Sequence, residues 1–157
     1  MKTIKIVAVA LLIFSTTCSV HARIFTIWNY QKLYDEADLV IIAKPISTKD
    51  TAEKTTIPNI APAIPVVGLS TEFKISVVMK GDKSLKNVTL HHYRLTDPKK
   101  SPLAFDGPAL VSFDCGPKQR VQFLMFLRLE KDGRYAPVSG QTDPALDAIL
   151  KLDGLAE

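Results

Sequence analysis

Two stretches of the chain, Thr71 to Lys80 and Val121 to Leu129, carry apolar residues at every second position. Apolar residues at every second position are typical of a β-strand with one buried face. The positions predicted to face a common interior are Phe73, Ile75, Val77, Met79, Phe123, Met125 and Leu127. Leu124 and Phe126 fall on the opposite face of the second stretch, so this strand is predicted to be half buried there as well.

A tight turn follows the second strand directly. Asp132-Gly133 tolerates the positive φ angles of a short hairpin, so Arg134 to Val138 is predicted to return antiparallel to that strand. Pro137 cannot donate a ladder hydrogen bond, which places the returning arm at an edge or a bulge.

Further short elements are predicted along the chain. Runs typical of strands are Leu39 to Ala43, Asn87 to Leu95 and Ala109 to Phe113, and Lys44-Pro45 marks the end of the first of these or a bulge in it. Spacings typical of short amphipathic helices are found at Tyr30, Leu33, Tyr34 and Ala37, with Asn29 as N-cap, and at Leu146, Ile149 and Leu150, with Asp143 as N-cap.

The segment from Thr48 to Leu69 loses this regularity. Its three prolines, at positions 58, 62 and 65, argue against regular structure, and loops this long are unusual in compact domains. Two interpretations stay open: an apolar strap that folds back on the domain, or a loop that contacts a partner. The residues predicted to make partner contacts, together with the start of the mature chain, are Arg23, Ile24, Phe25, Ile60, Pro62, Ile64 and Pro65.

About six short strands with a short helix near each end predict a mainly β fold. The expected architecture is a small antiparallel barrel, closed or nearly closed, of the OB type. A chain of 157 residues with 46% hydrophobic and 23% charged residues has room for one such domain, assigned to residues 23–157.

The first 22 residues have the pattern of a cleaved signal peptide. A basic start, an apolar run from Ile6 to Phe14 and the sequence Val20-His21-Ala22 predict cleavage after Ala22 and a secreted or periplasmic protein. The apolar run is too short for a transmembrane anchor. Removing Lys2 and Lys5 lowers the net charge from +4 to +2, and no cluster of cations with interleaved aromatic residues predicts a nucleic-acid partner.

Candidate chemistry is sparse. His91 and His92 are neighbours on a predicted strand, so they point to opposite faces, and one is expected to be solvated and the other packed. Cys115 with His92 at the mouth of the barrel is a conceivable nucleophile and base, but no third group is placed to orient them. No familiar catalytic, metal-binding or cofactor motif is present, so no catalytic residue, metal or cofactor is predicted.

Three segments together resemble the netrin-like domain, the OB-type barrel found in tissue inhibitors of metalloproteinases. The first is Ala37 to Lys44, the second is Thr71 to Gly81, and the third combines Cys115-Gly116 with Phe123-Leu124 and Asp132-Gly133. Their order and approximate spacing cover most of the chain from residue 37 to residue 140.

The resemblance implies the fold but not the inhibitory mechanism of that family. Its inhibitors begin with Cys-x-Cys, whose first residue chelates the zinc of the protease, and this chain has no such start. Ser139-Gly140 stands where the family has another cysteine. The family also implies a disulfide between Cys18 and Cys115, but only if Cys18 is retained; after cleavage at Ala22, Cys115 is predicted to be free and largely buried.

These features predict an exported, non-enzymatic module that binds an unidentified protein, in the manner of an enzyme inhibitor or another interaction domain. The alternative is a small-ligand-binding protein or an enzyme that uses Cys115 and His92 at the barrel mouth.

Overall fold

The computed structural model describes residues 28–57, 62–100, 110–116, 121–139 and 148–152. The predicted signal peptide, with Cys18, and three of the predicted contact residues, Arg23, Ile24 and Phe25, lie outside this part of the chain, as does Ile60. No helix within the described ranges is long and apolar enough to cross a membrane.

The described chain is mainly β. One helix, α1 (Tyr30–Glu36), precedes the strands β1 (Leu39–Thr56), β2 (Pro65–Lys80) and β3 (Asn87–Leu95), and a short 3-10 turn follows at Pro98–Lys100. Strands β4 (Gln122–Leu129), β5 (Tyr135–Pro137) and β6 (Ile149–Leu152) complete the sheet.

The first predicted helix is confirmed and lies against the sheet. Asn29 caps it, because its side-chain oxygen accepts a hydrogen bond from the backbone N–H of Lys32 at 2.8 Å. Leu33 and Ala37 are buried, and they pack with Val40 and Phe126 in a small cluster on the outer face of the sheet. Trp28 packs against the same cluster.

The predicted helix near the other end is wrong. Ile149–Leu152 is the strand β6, which pairs antiparallel with β4 through Ile149 opposite Met125 and Leu150 opposite Leu124. Ile149 belongs to the main core and Leu150 packs against the outer cluster, so successive residues face opposite sides as in a strand. The edge of β4 supplies the hydrogen bonds that a helix would have made internally. The rest of the predicted helix, with Asp143 and Leu146, lies outside the described residues.

Strand pairings run from β1 through β2, β3, β5 and β4 and back to β1, and β6 is added to β4. The predicted antiparallel sheet is therefore corrected to a mixed one, because β3 and β5 are parallel where Leu90 meets Tyr135. Directions cannot alternate all the way round a ring of five strands, so one pairing in such a ring must be parallel. Here it is the shortest, a single residue pair.

Much of the segment predicted to be irregular is regular strand. β1 continues to Thr56 and β2 begins at Pro65, so only the tip between them is a connection. Pro65 is the first residue of its strand, where a missing N–H is tolerated, which is why the proline does not interrupt the sheet. Lys44-Pro45 marks a bulge rather than an end, because the register shifts between Pro45 and Ser47.

Two predicted core positions in β2 are wrong, although Phe73 is fully buried and Ile75 packs on the core. Val77 and Met79 are each 48% exposed. The pairing of β1 with β2 skips Ser76 and then Met79, and each skipped residue is a β-bulge that shifts the alternation by one position. Val78 consequently packs against the core in place of Val77.

The hairpin after β4 is confirmed. Gly133 has φ +85°, and β5 returns antiparallel with Leu129 opposite Tyr135 and Leu127 opposite Pro137. Met125 and Leu127 are fully buried and Phe123 packs against the same core, as predicted. Pro137, predicted to lie at an edge or a bulge, pairs with Leu127 of β4 only, because the single pairing of β5 with β3 is at Tyr135.

The predicted strand from Ala109 to Phe113 is reduced to one bridge, between Leu110 and Tyr93. Beyond it, residues 111–116 have no regular structure and run across the end of the sheet ring. Phe113 anchors this segment, because its ring contacts those of Phe73 and Phe123 edge to face at 4.9 and 5.0 Å.

The bulges give a matched test of the core assignment. Phe73→Ala should lower the free energy of unfolding by about 3–5 kcal/mol through lost burial and a cavity. Val77→Ala, four residues along the same strand, should change it by less than about 0.5 kcal/mol, because the side chain is half exposed. Denaturant unfolding of both variants measures the difference. Similar losses for the two variants would contradict the bulged register.

Candidate functional site

Two groups of polar side chains lie on opposite faces of β3, one around His92 and the other around His91. The prediction that these neighbours point to opposite faces is confirmed by their partners, which belong to different groups. The prediction that one of them is solvated is wrong, since His91 is 6% and His92 0% exposed. Residues 111–113 cover His92, and the hairpin between β4 and β5 together with β1 covers His91.

His92 lies at the inner end of a chain of hydrogen bonds. Its Nδ1 is 2.8 Å from the carbonyl oxygen of Val111, and its Nε2 is 2.7 Å from Oγ1 of Thr71, which is fully buried. Thr71 in turn contacts Oγ1 of Thr48 at 2.7 Å, and Thr48 contacts Sγ of Cys115 at 3.4 Å. The chain thus joins the buried imidazole to a thiol at the surface.

The carbonyl of Val111 fixes the direction of these hydrogen bonds. A carbonyl only accepts, so Nδ1 of His92 carries the proton and Nε2 of the neutral ring accepts from the hydroxyl of Thr71. The hydroxyl of Thr48 then donates to Thr71, which leaves the Thr48 oxygen as an acceptor for the thiol of Cys115. The single S–H of Cys115 also lies within reach of the carbonyl of Phe113, so only the two threonine hydroxyls are fixed as donors towards His92.

Burial keeps this imidazole neutral. It lowers the pKa of His92 to about 4, opposed by the hydrogen bond to Val111 and assisted by the nearby charge of His91. A general base works best with a pKa near the operating pH. At pH 7 a pKa near 4 would make protonation of His92 cost about 4 kcal/mol. The base at the inner end of this hydrogen-bond chain is therefore a poor one.

Cys115 is exposed, which corrects the prediction that it is largely buried. Its segment crosses the rim of the sheet ring, so the sulfur lies beside Thr48 at the surface instead of under the core. The thiol is also 3.6 Å from the carbonyl oxygen of Phe113. Cys115 forms no disulfide within the described part of the chain.

On the opposite face of β3, His91 lies between two carboxylates. Its Nδ1 is 2.8 Å from Oε2 of Glu130, in hydrogen-bonding geometry. Its Nε2 is 3.0 Å from Oε2 of Glu53, but this contact is an ion pair without a hydrogen bond, because the oxygen lies off the direction of the ring N–H. His91 thus connects β1 to the hairpin that follows β4.

A bulge in β1 brings Glu53 to this position. Three residues, 51 to 53, stand opposite Gly68, since Asp50 pairs with Leu69 and Lys54 with Val67. A Cβ atom at Gly68 would lie 2.6 Å from Oγ1 of Thr51 and 3.0 Å from Cβ of Glu53. Only glycine allows the bulge to pack this closely against β2, and the bulge points the carboxylate towards β3.

Tyr93 and Arg134 complete the ionic group. The phenol of Tyr93 donates to Oε1 of Glu53, and burial followed by this hydrogen bond raises the pKa of Tyr93. Arg134 lies 3.9 Å from Glu53 and 2.6 Å from Asp132, across its own turn. The pKa of Asp132 is lowered, first by the backbone N–H of Arg134 and second by its guanidinium group.

This ionic group does not have the arrangement of a metal site. No set of three or more His, Cys, Asp or Glu residues among those described is placed to hold a metal ion. The two nitrogens of His91 face different carboxylates, and the cation of Arg134 stands beside Glu53. The arrangement instead resembles a salt-bridge network that ties three parts of the sheet together.

The predicted contact residues at the tip between β1 and β2 are described in part. Pro62 and Pro65 are exposed, and Ile64 is half buried. Ile64 packs against a small apolar cluster of Ile57 and Val66, with Tyr93, Leu95 and Leu110 around it. The backbone closes the tip, because the N–H of Ile57 donates to the carbonyl of Ile64 at 3.0 Å. This packing agrees with the interpretation of the segment as a strap, and it leaves the two prolines at the surface.

A cavity of about 300 Å³ opens beside residues 111–114 and the edge of β4 and β6. Its apolar walls are Val111, Val121, Phe123 and Ile149, and its polar walls are Ser112, Asp114 and Lys151. Neither His92 nor Cys115 lines it, so the hydrogen-bond chain and this cavity are separate features.

Comparison with known proteins gives no match: neither a protein-family model nor a curated protein aligns significantly with this chain.

The buried environment of His92 leads to a pH-dependent stability. Its pKa is about 4 in the folded protein against 6.5 for an ordinary histidine, so the unfolded chain binds more protons between these values. Stability contributed by neutral His92 is complete above pH 6.5 and declines by up to about 3 kcal/mol as the pH falls to 4.

We expect His92→Gln to remove this part of the decline. Urea unfolding of both proteins from pH 4 to pH 7 gives two profiles, and their difference isolates His92 because the carboxylates titrate in both. Parallel profiles would contradict the prediction, because they would mean that His92 binds its proton equally well in the folded and unfolded protein.

Proposed function

We propose that this chain is an exported, non-enzymatic protein-binding module built on a netrin-like, OB-type barrel. The mainly β sheet supports the barrel, because its pairings return from β4 to β1. Its compartment is secreted or periplasmic, after cleavage following Ala22. Since the chain lacks a Cys-x-Cys start, binding would not use the zinc chelation of metalloproteinase inhibitors.

The observation that carries the proposal is the construction of the tip between β1 and β2. Its apolar side chains form a cluster of their own around Ile57 and Val66, separate from the main core. The backbone N–H of Thr96 donates to the carbonyl of Pro65 at 3.1 Å and ties the tip to the end of β3. The described residues of the tip, held in this way, lose little entropy on binding, which favours affinity for a partner.

The exposed prolines give this tip a surface suited to protein contact. Pro62 and Pro65 have fixed φ angles and no N–H to desolvate, so an interface can cover them at low cost. Ile60, Arg23, Ile24 and Phe25 are proposed to join the same contact.

Photo-crosslinking can test this contact. A photoreactive amino acid at position 62 of the exported protein should give a discrete adduct with a protein of the same compartment. The control is position 131, an exposed turn residue in the hairpin between β4 and β5. Unlabelled wild-type protein should compete with the adduct, and Pro62→Ser/Pro65→Ser should compete at least tenfold less well. Equal adducts at both positions, or equal competition, would rule out the tip.

The alternative function, a small-ligand-binding protein or an enzyme at Cys115 and His92, has one observation in its favour. The two residues are joined through Thr48 and Thr71, whose hydroxyls both donate towards the imidazole. A base receiving the thiol proton along this chain would make Cys115 unusually nucleophilic. Against it stands the low pKa of His92, which disfavours the imidazolium that this step would create.

Thiol alkylation distinguishes the two functions. For a binding module, iodoacetamide should modify Cys115 of the folded protein at pH 7 no faster than in urea. It should also modify Thr71→Val at the rate of the wild type. A folded-state rate more than about tenfold above that of the unfolded chain, lost in Thr71→Val, would instead favour the enzyme.

A further inference from the structure

The outer face of β1 and β2 carries a pair of like charges. Lys44 and Lys74 are directly opposite each other in the antiparallel pairing. Neither lysine makes an ion pair or hydrogen bond in the part of the chain that the structure describes. Like charges directly opposite in a sheet destabilise it, so the fold itself gives no reason for this pair.

Apolar side chains stand beside these lysines on the same face. The bulge at Ser76 turns Val77 outward, where it lies opposite Ile42 in the next outward-facing pair after Lys44 and Lys74. Met79 is the extra residue of the second bulge. Val77 and Met79 are each 48% exposed, although their neighbours Ile75 and Val78 pack on the core.

Two more lysines border this apolar area. Nζ of Lys80 donates to the carbonyl of Tyr34 at 2.7 Å and lies 5.1 Å from the ring of that tyrosine. Nζ of Lys83 donates to the carbonyl of Met79 at 3.2 Å. Three acidic groups of this end make contacts of their own: Asp35 with Gln31, Glu36 with Arg128, and Asp82 with Ser84. Glu72, exposed two residues before Lys74 in β2, is the acidic group beside the lysine pair.

We call this surface the lysine face, defined by Lys44, Lys74, Val77, Met79, Lys80 and Lys83. We propose that the lysine face docks on an anionic lipid surface, a binding property beyond the proposed contact with a protein. The four lysines attract the negative headgroups. Each contributes about 1 kcal/mol to the free energy of membrane binding, which is about fivefold in the partition coefficient. Val77 and Met79 protrude among them and would enter the boundary between headgroups and acyl chains.

The protruding aliphatic groups favour a lipid over a soluble polyanion. Contact with phosphate or sulfate groups alone would leave Val77 and Met79 in water. A membrane surface can bind the lysines and the aliphatic side chains at the same time. The long lysine side chains reach the headgroups from the edge of the apolar area. Two lysines held side by side raise the positive potential at one point, which suits a dense anionic layer.

Vesicle sedimentation tests the proposal with the protein purified after export. It should bind vesicles of phosphatidylglycerol and phosphatidylcholine in equal amounts, bind pure phosphatidylcholine at least tenfold less, and be released by 0.5 M salt. Lys44→Gln/Lys74→Gln should lower partitioning about 25-fold, from two steps of about fivefold. Its melting temperature should not fall, because the like-charge pair is relieved.

Two control variants separate this surface from net charge and from simple polyanion binding. Lys54→Gln/Lys99→Gln removes the same charge from the other end of the sheet and should keep partitioning within about threefold of wild type. Val77→Ser/Met79→Ser should weaken vesicle binding at least fivefold and leave binding of dextran sulfate unchanged. Equal losses in the two lysine variants, or no loss in the serine variant, would overturn the proposal, as would absence of binding to the anionic vesicles.

Discussion

The structure depends on a single long strand that pairs with two different partners. β1 pairs with β2 from Val40 to Thr56 but with β4 only from Leu39 to Ala43. Beyond Ala43 the two neighbours of β1 separate, which lets the sheet curve from β2 through β3 and β5 back to β4. The core residues Ile41 and Ala43 lie in the part of β1 that pairs with both β2 and β4, and Leu39 lies directly before it, so the centre of the protein is also the place where β1 and β4 pair.

Bulges allow the long strands to curve while they keep their hydrogen bonds. The pairing of β1 with β2 shifts register four times, and each shift reassigns the side chains that follow it to a face. One shift leaves Val77 outward, and another carries Glu53 across to His91. Both candidate surfaces outside the core, the ionic group on β3 and the lysine face, therefore follow from the way the sheet bends. Gly68 makes the register shift at Glu53 possible, since any side chain at position 68 would clash with Thr51.

Sequence patterns predicted correctly those parts of the fold whose conformation depends on residues adjacent in the chain. Asn29 capped its helix and Asp132-Gly133 turned its hairpin as expected, because a cap and a tight turn each depend on a few adjacent residues. The predictions were wrong where pairing with a strand distant in the sequence determined the structure. Ile149 and Leu150 have helical spacing, yet β4 offers them a free edge. Alternation through Met79 was regular in the sequence and was broken only by pairing with β1. Glu53 and Thr71 entered their groups through contacts across the sheet, so no local signal pointed to either.

The contrast between His91 and His92 shows how little the residue type alone reveals about chemistry. Alternation along β3 separates two identical neighbouring side chains onto two faces, and the two faces differ in every respect that matters for an imidazole. On the inner face, an acceptor carbonyl and a buried hydroxyl satisfy a neutral ring, and burial lowers the pKa of His92 to about 4. On the outer face, Glu53 and Glu130 surround His91 with negative charge, and Arg134 balances part of it. The environment of His92 makes it a poor base for the thiol of Cys115. The environment of His91 links the hairpin after β4 to β1. Both histidines thus contribute to holding the sheet together.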